Sequence, residues 1–297
     1  MATVFHWLVD PFAYAFMQRA LIEVLLMGAV TGAIGTYVVL RGLSFIGDAL
    51  SHAIFPGVVI AFLLGRSAFA GALAFGLLTS ISIVVLATTR RVKEDSAIGV
   101  LFAGLFALGV VLISTTRNYS RDLAAFLFGN VLGVTGADVG LSAGVGVLVC
   151  LLLVLFHKEL VLVAFDREAA QAMGVAVFWI NLLLLVMISL TIVVSLSAVG
   201  NILVVAMLVT PAATARLLTD RLPVMLCLSA ALGVLSGVAG LVLSFHADIA
   251  AGGTIVLVAT LLFGLVWLLA PRHGLLATRL ASRRWSDGSR AETVRQQ

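Results

Sequence analysis

Asp48 and His52 lie four residues apart inside an otherwise apolar stretch, LSFIGDALSHAIFPG, residues 43–57. On a helix this spacing puts a carboxylate and an imidazole on one face, one turn apart. Ser51 adds a hydroxyl beside them. Pro56 has no N–H, so a helix continuing through it leaves the His52 carbonyl without its usual donor. Oxygen and imidazole groups gathered in this way form a ligand set for Zn²⁺, Mn²⁺ or Fe²⁺. A structural Asp/His ion pair is the plainer alternative, since a charge at mid-membrane costs about 2.5–3.5 kcal/mol. One pair supplies too few ligands for a closed site, and a two-fold dimer would bring two pairs to one axis.

Three other places carry chemistry-bearing residues. In FHADIAAGG, residues 245–253, His246 and Asp248 are candidate ligands at an outer mouth, or members of a simple polar loop. Thr210 and Pro211 fall in the middle of an apolar run, where Pro211 frees the carbonyl of Met207 and is expected to kink or break the helix. In residues 157–175, HKELVLVAFDREAAQAMGV, Asp166 is a good N-cap. Arg167, Glu168, Ala169 and Ala170 follow it, and Gly174 is a natural stop. The pattern predicts a short helix at the cytoplasmic face, either a solvated connector or a dock for a cytoplasmic partner. Cys150 and Cys227 fall in apolar runs, form no CxxC, and are expected to be free buried thiols.

The elements that hold these residues are membrane helices. The chain of 297 residues is 62% hydrophobic and 11% charged, with a mean hydropathy of +1.20. A soluble domain, whose surface must be wet, does not have that balance. The fold class is all-α, a polytopic membrane helix bundle. Nine spans are expected at roughly 17–40, 44–64, 68–89, 97–115, 138–156, 176–197, 200–218, 222–244 and 251–270, each near the ~20 residues a bilayer requires. Small faces at Gly28, Gly32 and Gly35, and at Gly233, Gly237 and Gly240, suit close helix packing. Residues 1–16 form an interfacial lead-in, 17–270 the transmembrane domain, and 271–297 a basic, disordered cytoplasmic tail that touches lipid headgroups. Segment 118–137 is too short to span and reads as an interfacial or re-entrant helix.

With the loop RRVKED, residues 90–95, placed in the cytoplasm, only Arg19, Arg66, Arg117 and Arg121 of the 18 basic residues fall outside. That bias places the C-terminus in the cytoplasm and the N-terminus outside. It also puts Asp48 near the inner end of its span and Asn201 at the outer end of its own. The net charge of +4 comes from loops and tail and points to no nucleic acid. The sequence has no G-x-x-x-x-G-K-[ST] phosphate loop, no H-E-x-x-H and no G-x-S-x-G. An ATP-driven process would therefore need its nucleotide on a separate subunit. An ion-coupled secondary transporter is the rival class, but no clear internal repeat is visible.

LRGLSFIGDALSHAIFPGV resembles the signature of the membrane permeases of ATP-binding-cassette importers for zinc, manganese and iron. The likeness continues in FLFGNVLGV (126–134), LVAFDREAAQAMGV (162–175), NILVVAMLVTPAATARLL (201–218) and, more weakly, FHADIAAGGTIVLVATLLFG (245–264). It implies a homodimer in the cell membrane, bound to two ATP-binding-cassette ATPase subunits. It also implies an extracellular or periplasmic protein that delivers the metal. By this resemblance Asp48 and His52 lie on the metal pathway. Asp166–Gly174 resembles the coupling helix seated on the ATPase, and Pro56, Thr210 and Pro211 belong to the translocation core. Zinc is the expected cargo, with manganese or iron the alternative, and no cofactor is held permanently. The family often has a Pro-containing PSG-like sequence where this chain reads AAGG, residues 250–253.

Overall fold

The computed structural model describes residues 9–88, 92–115 and 131–270. The expected tail, the greater part of the 118–137 segment, residues 1–8 of the lead-in and residues 89–91 lie outside them. The described residues form twelve α-helices: α1 Ala15–Leu40, α2 Ile46–Ala53, α3 Phe55–Leu63, α4 Ala68–Thr88, α5 Glu94–Ile113, α6 Gly136–Leu155, α7 His157–Phe165, α8 Arg167–Ala172, α9 Val177–Val199, α10 Asn201–Leu218, α11 Leu222–Ala247 and α12 Ala251–Leu269. Taking α2 and α3 together, nine of these segments are long and apolar enough to cross a membrane.

Two of the small-residue faces meet. α1 lies against α11 so closely that a Cβ on Gly28 would stand 2.8 Å from the Gly233 carbonyl carbon. One on Gly32 would stand 2.6 Å from the Ser229 oxygen. Ser229 Oγ uses the same approach to donate to the Gly32 carbonyl at 2.6 Å. Between bundle helices, where lipid is as apolar as the side chains, close backbone approach of this kind carries much of the attraction. One apolar cluster, including Ile34, Leu50, Ile83, Leu184 and Ile188, fills the centre of the bundle. A second, with Met17, Val24, Met207, Leu241 and Ile255, joins α1, α10, α11 and α12.

The outside is apolar too. Leu257, Leu261 and Leu265 line one face of α12 and are exposed, as are Val147, Leu151 and Val154 on α6. Such faces suit hydrocarbon rather than water. Cys150 and Cys227 are free but exposed, on α6 and α11, so the expected burial does not hold. An apolar run does not predict burial when the surface itself is apolar.

Polar groups inside the bundle are paired with care. Glu23 on α1 is fully buried, and Ser142 Oγ on α6 donates to its Oε1 at 2.6 Å. Its Oε2 has no partner among the described residues. Ser80 and Ser189 hydroxyls pair at 2.8 Å between α4 and α9. These contacts limit the cost of burying groups that hydrocarbon cannot hydrogen-bond.

Pro211 does not break its helix. α10 runs continuously from Asn201 to Leu218. Pro211, Ala212 and Ala215 are all buried, and the backbone of Leu208 lies against Gly35 of α1. Packing on both sides of the proline holds the helix together where its local hydrogen bond is missing. The break occurs instead at Ile54, where α2 ends and α3 begins with Pro56 in its first turn. There the missing N–H costs no interior helix bond.

Candidate metal site

The stretch that carries Asp48 and His52 follows a tight turn. α1 ends at Arg41, Gly42 takes φ +69°, and Leu43 N–H donates back to the Val38 carbonyl at 3.0 Å. This closure needs a left-handed residue, which glycine adopts without a Cβ clash. Three residues later α2 begins, with Asp48 in its first turn and His52 in its last.

His52 Nε2 lies 3.4 Å from Asp48 Oδ1, so the pair predicted from the i, i+4 spacing is formed. The His52 side chain is 16% exposed and that of Asp48 47%. Ser51 Oγ donates to the Asp48 backbone carbonyl at 2.8 Å, which turns it away from ligand duty. Phe102 and Phe106 of α5 meet the imidazole edge-on, with ring centroids 5.5 and 4.8 Å away. On its open side Asp48 lines a cavity of about 450 Å³ with Phe45, Asp95 and Phe102.

A further group was not assigned to this site by the sequence. Asn201, the first residue of α10, is 2% exposed, and its side-chain amide nitrogen lies 3.3 Å from His52 Nε2. Asn201 Oδ1 and His52 Nδ1 are buried with no partner among the described residues. Buried polar atoms are ordinarily satisfied, and here each of two touching residues leaves one unsatisfied. The two residues are 149 positions apart, and no local pattern links them.

This contact also sets how α2 lies against α10. α10 rises 1.5 Å per residue from Leu218 to Asn201, about 26 Å. His52 meets its Asn201 end, while Gly47 packs on Leu208 midway. α2 therefore runs along the Asn201 half of α10, with Asp48 in the first turn of its span and His52, the more buried of the two, one turn further in. A low-dielectric setting strengthens whatever charge they meet.

The other predicted residues are placed elsewhere. His246 Nδ1 is 3.0 Å from the Val242 carbonyl of its own helix, and Asp248 caps α11 in a left-handed conformation at φ 54°. Both are exposed. No group of three or more His, Cys, Asp or Glu side chains gathers as a metal site among the described residues. Asp166 Oδ1 accepts from the Ala169 N–H at 2.9 Å, and Gly174, at φ +81°, ends the short helix α8. The cap and the stop are those the sequence predicts. Arg167 and Glu168 are exposed and Ala170 is buried. Thr210 accepts, through its carbonyl, the Thr214 hydroxyl at 2.7 Å.

Near α8 is an ion triad. Glu94, which opens α5, takes Arg41 Nη2 on Oε1 at 3.4 Å and Arg167 Nη2 on Oε2. The Arg41 side chain is only 4% exposed. Burial pulls its guanidinium down to about 10, Glu94 opposing the fall and Arg167 adding to it.

Comparison with known proteins gives this geometry its context. The model of the ABC 3 transport family matches residues 13–270. The manganese transport system membrane protein MntC of Halalkalibacterium halodurans is 48% identical over 282 residues, covering 95% of this chain and 94% of its own length. The chelated iron transport system membrane protein YfeC of Yersinia pestis is 39% identical over 277 residues, 93% of this chain and 94% of its own. A solved structure of PsaBC from Streptococcus pneumoniae in complex with Fab superposes with a TM-score of 0.81 at 40% identity, covering 92% of this chain and 98% of that one. With nine spanning segments and a match over nearly its whole length, the chain belongs to the ABC 3 transport family as a multi-pass membrane permease, not an enzyme.

Proposed function

We propose that two copies of this chain form the metal path of an ATP-driven importer in the cell membrane, with manganese as cargo and ferrous iron next. The observation that carries the reading is the cluster of Asp48, His52 and Asn201, with two unsatisfied buried polar atoms in an apolar surround. Zinc was the expectation from the imidazole. Manganese fits better, because the relatives are named for manganese and chelated iron. A carboxylate and an amide oxygen are also the harder donors that manganese prefers.

In this reading a metal-binding protein delivers the ion from outside. Asp48 supplies charge, His52 a nitrogen donor, and Asn201 a neutral oxygen once its amide turns. Half-exposed Asp48 leaves one side open for the same groups of a second copy. A site of this kind binds weakly enough to release its ion. Asp166–Gly174 seats on a separate ATPase, whose closure drives the change of access. Pro56 and the Thr210–Pro211 region line the moving core, and His246 and Asp248 stand at the outer loop. The C-terminus lies in the cytoplasm.

The test is competitive uptake of Mn²⁺, Fe²⁺ and Zn²⁺ by cells carrying the complete transport system. His52→Ala and Asp48→Asn are expected to lower Mn²⁺ uptake about ten-fold or more at normal membrane abundance. Uptake unchanged in both variants would sink the assignment. Uptake that survives ATP depletion but stops when the proton gradient is collapsed would favour a secondary transporter.

A further inference from the structure

The triad Arg41–Glu94–Arg167 has no part in binding the ion, yet it joins three elements the transport cycle must keep in step. Arg167 is the first residue of α8, the short helix proposed to meet the ATPase. Glu94 is the first residue of α5, and Arg41 closes α1 just before the turn into α2. One carboxylate therefore holds the short helix, the helix behind the metal site and the segment that carries it.

The two routes from Glu94 both end on the pair Asp48/His52. Along α5, Phe102 and Phe106 stand eight and twelve residues beyond Glu94, about 12–18 Å at 1.5 Å per residue. Their rings are the ones against the His52 imidazole. Through Arg41, the chain passes Gly42 and Leu43 into the first turn of α2, where Asp48 sits. A helix and a tightly closed turn transmit displacement better than a loop does.

The members are not equivalent. Arg41 is nearly enclosed and Glu94 is 18% exposed, while Arg167 is 45% exposed. A buried guanidinium cannot easily lose the carboxylate it is paired with, because the uncompensated charge is costly. Arg41–Glu94 is thus the enclosed half of the triad, and Arg167 is the member that can be replaced without stranding a buried charge. We propose that Glu94 is a positioning residue that couples the short helix α8 to the metal site through α5 and Arg41. This rests on the permease reading above and adds the route by which the ATPase side reaches the ion.

The test uses the full chain assembled with its ATPase, with Cys150→Ser and Cys227→Ser to remove the exposed thiols. Spin labels go on Phe45→Cys and Met173→Cys, both positions being exposed, at 83% and 71%. The distance between them is expected to stay in one narrow distribution with and without ATP. Arg167→Ala is expected to broaden or shift that distribution on ATP addition, and Arg167→Lys to restore it. In the unlabelled complex, metal taken up per ATP hydrolysed is expected to fall roughly 5- to 10-fold in Arg167→Ala, the lower range of coupling between sites. Glu94→Gln should do the same or more, and its folding is checked by gel filtration. Arg167 is the safer arm, being at the surface. A distribution in Arg167→Ala that matches the parent would overturn the proposal. The distance reads no metal, so failure of the parent complex to import any of the three ions would remove the transport reading while leaving this result to stand by itself.

Discussion

An imidazole enclosed by two phenylalanines and one amide has few ways to satisfy both nitrogens. His52 has Asp48 and Asn201 on Nε2, and Nδ1 is left with no partner among the described residues. Asn201 also has a bare Oδ1. Asn201 is buried, so its amide sits there at a desolvation cost. Asn201→Ala is expected to raise the half-saturating Mn²⁺ concentration of uptake about ten-fold, as loss of an orienting partner does at metal sites. The measurement is a concentration series at matched expression, and an unchanged half-saturation would make Asn201 merely structural. The Asp48/His52 pair was legible because four residues along a helix is a local relation. Asn201 and Glu94 were not, because their partners lie far away in sequence and no period marks them.

Among elements, the closest approaches are between helices that present glycine. Gly32 has no room for a methyl group against Ser229, whereas Gly104 on α5 has open space around it. Gly32→Ala is therefore expected to lower the melting temperature in detergent, costing about 1–3 kcal/mol as overpacking does. Gly104→Ala is expected to leave it unchanged or raise it, since alanine in a helix is better than glycine by roughly 0.5–1 kcal/mol. Equal effects from the two would refute the packing argument. The nine spanning segments could be read from the sequence because length and hydropathy are local. The short helix α8 could be read because its cap and its stop are both in the sequence. That α10 runs unbroken through Pro211 could not, because α1 packs on α10 across a contact that only the fold supplies. Nor could the exposure of the two cysteines, since hydropathy does not tell a lipid-facing side from a buried one.

At the scale of the whole molecule, basic residues decide orientation. The C-terminus is expected in the cytoplasm, so a fluorescent protein fused after Gln297 should fluoresce and alkaline phosphatase fused there should be inactive. The reverse pattern would invert the map and put Arg41, Glu94 and Arg167 on the far side from any ATPase. Glu23 sets a further condition on how such a molecule is made. Its carboxyl belongs to α1, but the hydroxyl that meets it, on Ser142, comes 119 residues later. Until α6 arrives, the newborn α1 carries a group that lipid cannot solvate. α1 and α6 are therefore expected to pair early as the chain settles in the bilayer, since one hydroxyl of α6 shields what α1 alone leaves bare.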